Sequence, residues 1–165
     1  MPDLLQTREY ACAVIGADPA VPAGAQALVL EAMLTRQQVI LGEQRPELAV
    51  VIGEAALHQV VGGTGIIRVQ LARLAEMSDT YSQITIQVLP FAAGAPPAGG
   101  NGPLSILRFA GAQSLGVVHL PGPCGGICLD SPPDVASHAR AFTLLKASTL
   151  TPAATAKLLR DMAAR

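Results

Sequence analysis

Apolar positions recur along this chain at two spacings, and the switch between them marks out helices and strands. Thr7 stands where it can cap a helix of about seven or eight residues, with Tyr10, Val14 and Ile15 on its apolar side. After a break at residues 18–22, Pro22 suits the first turn of a second helix. There Leu28, Met33, Leu34 and Leu41 recur at near-helical spacing until Gly42 ends the run. Residues 48–52 (LAVVI) form a short β-branched run that reads as a buried strand, and residues 54–58 read as a helical turn. From Thr64, the positions Ile67, Leu71, Leu74 and Met77 repeat as the stripe of an amphipathic helix, with Thr64 as its cap. Residues 84–89 (ITIQVL) alternate apolar and polar side chains and read as a strand.

Residues 92–102 (AAGAPPAGGNG) are kept irregular by Gly and Pro, and a loop of this length suits a lid or binding loop. Strands are predicted at 104–109, 116–120 and 127–129, close enough together to favour antiparallel hairpins. Ser131 with Pro132 and Pro133 starts a helix carrying Val135, Phe142 and Leu145. Thr151 with Pro152 starts a last one carrying Leu158 and Leu159. This order predicts one α/β domain over residues 1–165, with a mixed, largely antiparallel sheet of about five strands and helices packed on it.

Composition sharpens the picture in two ways. Hydrophobic residues make up 50% of the 165 and charged residues only 14%, which leaves apolar surface to hide and points to a homodimer or a partner. Net charge is −1, so nothing supplies the basic footprint of direct nucleic-acid binding. No apolar run reaches the roughly 18 residues of a membrane span, and the start of the chain lacks a signal-peptide pattern. Three cysteines, an odd number, argue against a secreted disulfide framework. A cytoplasmic protein is expected.

Reactive side chains concentrate in residues 119–130 (HLPGPCGGICLD). A nucleophilic Cys124 would need a nearby base, which His119 could supply, with Asp130 orienting the imidazole. Cys124 and Cys128 equally suit a redox pair, or inert small hydrophobes with Gly125 and Gly126 bending the chain between them. The four side chains match no common zinc spacing, so no metal is assigned. Glu54 follows the strand LAVVI across one glycine, where it could serve a ligand or merely cap the helical turn. Gly62, Gly63 and Gly65 around Thr64 resemble a phosphate nest but lack the Lys-Ser/Thr of a P-loop, which favours a plain loop. His58 and His138 stand alone on helical stretches and read as solvated or structural. Neither G-x-S-x-G nor H-E-x-x-H occurs.

Eight stretches taken in order carry a family likeness: residues 3–11 (DLLQTREYA), 48–57 (LAVVIGEAAL), 61–63 (VGG), 70–74 (QLARL), 84–95 (ITIQVLPFAAGA), 102–109 (GPLSILRF), 125–135 (GGICLDSPPDV) and 141–145 (AFTLL). They resemble the domain of unknown function that follows a helix-turn-helix in actinobacterial XRE-type regulators, proteins often described as antitoxin-like. The resemblance implies a domain that senses or binds something and controls an attached DNA-binding domain. Met1 falls where that domain begins, which implies an excised domain or a stand-alone protein. The last strands and helices also resemble one half of phospholipase-D-like regulator domains, without the H-x-K pattern of those enzymes. This chain departs from the family most at His119, Pro121, Cys124 and Cys128, where the family tends to carry Tyr, Glu, Thr and Tyr. Pro96 and Leu104 likewise replace a histidine and an aromatic residue.

Two functions follow as expectations. The first is an effector domain that binds a small molecule or a protein partner through Glu54, Gln87, Phe91, Arg108 and the segment that includes Cys128, as a homodimer. The second is a cofactor-independent enzyme of specialised metabolism, of cyclase, isomerase or acyl-transfer type, using Cys124, His119 and Asp130. A structural role as a protein-interaction module is a third. No cofactor is implied by any of them.

Overall fold

Three helices, at Thr7, Ser131 and Thr151, start where the sequence supplies a side-chain oxygen ahead of an apolar stripe. In the computed structural model, which describes all residues except 43–44, 97–101, 110–115 and 123–124, Thr7 Oγ1 accepts the Tyr10 N–H at 3.2 Å. Ser131 Oγ accepts the Asp134 N–H at 3.3 Å, and Thr151 Oγ1 that of Ala154 at 3.2 Å. Along the chain run α1 (Arg8–Ala17), α2 (Gln26–Leu41), β1 (Leu48–Gly53), α3 (Ala55–His58), α4 (Thr64–Thr80), β2 (Ile84–Leu89), β3 (Ser105–Arg108), β4 (Gly116–Gly122), β5 (Gly125–Leu129), α5 (Pro132–Ala147) and α6 (Pro152–Ala163). The fold is α/β. Its elements form two compact units, Met1–Phe91 with Leu150–Arg165, and Ala92–Thr149.

The strands do not make the one mixed sheet that the sequence suggests. β1 pairs with β2 in parallel, from Leu48 opposite Ile84 to Gly53 opposite Leu89, while β3, β4 and β5 form a separate antiparallel sheet. The connections dictate this. α3 and α4 carry the chain back over β1 before β2 begins, a crossover that yields parallel pairing, whereas β4 and β5 are joined tightly enough for a hairpin. The outer edge of β2 is also occupied. Leu150 donates its N–H to the Val88 carbonyl at 2.9 Å, and the Val88 N–H donates to Thr155 Oγ1 at 3.1 Å. Where another strand would pair, the returning chain already satisfies the backbone.

The first unit is built on an apolar core. On β2, Ile84, Ile86 and Val88 are buried on one face; from α4 come Ile67, Leu71, Leu74 and Met77, and from α6 Leu159. Tyr10 of α1 and Leu5 join the same cluster. Gln70 is fully buried yet satisfied: its Oε1 accepts the Thr7 N–H at 2.7 Å and its Nε2 donates to the Leu5 carbonyl at 2.8 Å. Two expectations change here. Leu28, placed on the apolar side of α2, is 75% exposed, because α2 carries apolar side chains around more than one side and buries only Ile40 completely. Gly63 rather than Thr64 caps α4, since its φ of 106° suits only glycine.

In the second unit, α5 lies against one face of the β3–β4–β5 sheet. A β-carbon on Gly116 would come within 2.8 Å of Val135 Cγ1, and Val118, two residues on, is fully buried. The opposite face carries Ser105, His119 and Cys128 as a row across the three strands, since His119 pairs with Ser105 on one side and with Cys128 on the other.

Candidate functional site

Parallel strands present their carboxyl ends together, and in the first unit β1 and β2 end side by side. Glu54 continues the pairing past Gly53 by donating its N–H to the Leu89 carbonyl at 2.9 Å. Its Oε2 then accepts the Phe91 N–H at 2.7 Å. Its Oε1 lies 3.7 Å from His58 Nε2, one helical turn along α3. The His58 and Phe91 rings stand 5.8 Å apart between centroids, tilted by 31°. Glu54 is thus half-sequestered while the imidazole and the phenyl ring are open, His58 with 52% of its side chain exposed and Phe91 with 64% of the residue. Such strand ends are where α/β proteins gather ligand-binding groups.

His58 is also part of the wall of a cleft of about 400 Å³, which is completed by Leu57, Val60, Thr64, Ile67, Arg68, Leu71, Met162 and Arg165. Its floor is apolar. Arg68 reaches from α4 to the end of α6, where its Nε donates to the Ala163 carbonyl at 2.9 Å. A broader depression of about 560 Å³ lies where α4 meets α6, but its charged groups are already paired: Arg160 Nη1 is 2.7 Å from Asp79 Oδ2, and Glu76 is 3.0 Å from Arg73. The smaller cleft is the better candidate.

The sequence-derived residues divide between the units. Glu54 and Phe91 are brought into direct contact. Gln87 lies on the same strand pair, but its Nε2 donates to the Leu150 carbonyl at 3.0 Å, so its amide secures the return of the chain. In the second unit Arg108 ends β3 and is exposed, opposite Gly116. His119 and Cys128 are cross-strand neighbours; the imidazole leans over Gly126, where a β-carbon would overlap Nε2 and lie 2.8 Å from Cδ2. Gly125 and Gly126 belong to β5, paired with Gly122 and Pro121, and Gly125 takes a φ of 112° where that strand begins. Asp130 is exposed just ahead of the α5 cap, and Cys128 is a free, exposed thiol. Cys124 lies outside the described residues. His138 Nδ1 is 2.8 Å from the Asp134 carbonyl on α5.

His58, which stands alone in the sequence reading, is brought beside Glu54 by the structure. The signal was there: it stands four positions after Glu54, immediately beyond a strand end, so one turn of helix returns it to the carboxylate. Arg68 and Thr64 reach the cleft from α4, and only the packing of α6 reveals them. Among the described residues no three metal-ligating side chains gather, and no helix is long and apolar enough to cross a membrane.

No curated protein and no solved structure matches the chain. One family profile does, over residues 1–161, through both compact units. By that match the chain belongs to the family described as domain of unknown function DUF5753.

Proposed function

We propose that this chain is the effector domain of an actinobacterial XRE-type regulator, a cytoplasmic homodimer that binds a small molecule and passes its occupancy to a DNA-binding partner. The binding site is the strand-end cluster of Glu54, His58 and Phe91 with the adjoining apolar cleft. The observation that carries this reading is the 2.7 Å bond from the Phe91 N–H to the Glu54 carboxylate. It fixes a polar group and an exposed aromatic ring beside a cleft of about 400 Å³, within the range of small-molecule sites. A net charge of −1 supports a role in which this chain leaves DNA contact to another domain.

A ligand-dependent thermal shift across a panel of small metabolites tests it. A ligand present at a hundred times its Kd stabilises the folded state by about 2.7 kcal/mol. The shift is expected to shrink in His58→Ala and Phe91→Ala. A panel that moves the transition of the wild type nowhere, or moves it equally in both variants, overturns the reading.

A further inference from the structure

We infer that the cleft beside His58 takes an organic anion with an apolar body, a carboxylate whose charged end meets Arg68. The inference rests on the proposed small-molecule site and names its ligand class. Leu57, Ile67, Leu71 and Met162 give the cleft apolar walls, and these would receive a hydrocarbon or aryl group. His58, Thr64, Arg68 and Arg165 supply the polar side chains of the lining. Arg68 contributes a guanidinium and Thr64 a hydroxyl at the first turn of the 17-residue α4, while no Asp or Glu lines the cleft. Glu54 stands beyond His58, 3.7 Å from its Nε2, with the other carboxylate oxygen already taken by the Phe91 N–H.

The state of Arg68 is the second observation. Among the described residues Arg8, Arg36, Arg73, Arg160 and Lys157 each pair with a carboxylate, whereas Arg68 does not, a state it shares with Arg165 on the same cleft and with Arg45, Arg108, Arg140 and Lys146 elsewhere. The Arg68 Nε is held by the Ala163 carbonyl at 2.9 Å, which orients the guanidinium without neutralising it. A fork held in place at the edge of an apolar cleft suits a planar carboxylate in two-point contact. A neutral molecule of the same shape would gain the apolar contacts alone.

Four probes read this by titration calorimetry on the full chain: octanoate, phenylacetate, octanamide and inorganic phosphate. One or both carboxylates are expected to bind, with octanamide weaker by about ten- to a hundredfold and phosphate alone not binding. Arg68→Gln is expected to bring the carboxylates down to the amide's affinity, and Arg68→Lys to retain part of the difference. Val60→Glu puts a negative charge on the exposed rim, and is expected to weaken the carboxylates more than octanamide. Octanamide binding as tightly as octanoate, with Arg68→Gln without effect, overturns the anion and leaves the small-molecule site standing. Phosphate binding as well as octanoate overturns the apolar body. If neither these probes nor any metabolite binds, the site and the inference fall together.

Discussion

Glu54 holds the backbone of Phe91: the carboxylate accepts the Phe91 N–H at 2.7 Å and so closes the turn that follows β2 onto the end of β1. The bond is exposed, so its contribution is that of a solvated charge-assisted hydrogen bond, about 1 kcal/mol. Glu54→Ala is expected to lower stability by about that amount in urea unfolding, while Glu54→Gln keeps an acceptor oxygen and most of the stability. Equal losses in the two variants would show that the hydrogen bond is not what Glu54 contributes.

Gln70 makes a stronger case, because it is fully buried and serves two backbone groups. Gln70→Leu fills similar space but leaves the Leu5 carbonyl and the Thr7 N–H without their partner. Each such group costs about 1–3 kcal/mol when stranded. The expected loss is about 2–5 kcal/mol, with early amide exchange in the segment before α1. A variant within about 0.5 kcal/mol of the parent would mean that water takes over both groups.

Gly126 and His119 form a pair in which one residue needs the other to be small. Gly126→Ala should turn the imidazole away rather than unfold the strand, because the obstacle is a side chain and not backbone. The ring resonances of His119 are expected to move, at a cost of about 1 kcal/mol. In the double variant with His119→Ala the cost of the alanine should largely vanish, a coupling of about 1 kcal/mol. Simple additivity would separate the two residues.

Burial pushes the Tyr10 phenol above its ordinary value of 10.0, because the charged form would lose its water inside the core. The folded chain therefore keeps this proton to higher pH than the unfolded chain. The unfolded state gives up its proton first, so the contribution is whole below about pH 10 and declines as pH rises through the folded value. Tyr10→Phe is expected to remove that decline. The check is stability against urea from pH 8 to 11 for both proteins, and parallel curves would refute it.

What the sequence revealed was local. Thr7, Ser131 and Thr151 cap their helices as expected, the α4 stripe from Ile67 to Met77 is buried throughout, and the alternation of β2 buries Ile84, Ile86 and Val88. These are matters of spacing within one element. The division of the strands into two sheets was not legible, since it turns on Val88 meeting Leu150 and Thr155 across more than sixty positions of sequence. The α2 face was hidden for another reason: Leu28, Val29 and Val39 are apolar yet exposed, so hydrophobicity does not single out its inward side. In the candidate site, Glu54 and Phe91 could be found from strand ends, whereas Arg68 depends on where α6 comes to rest.

The capping of β2 by residues 150–155 also sets an order of events during synthesis. β2 leaves the ribosome about sixty residues before Leu150 and Thr155, and through that interval the backbone groups of Val88 have no native partner on their outer side. The nascent chain carries an open strand edge, a template for mispairing, until α6 arrives. The arrival of α6 brings Leu159 into the core and shuts that edge in a single step. Residues 150–155 therefore end the interval in which this strand edge is open to mispairing.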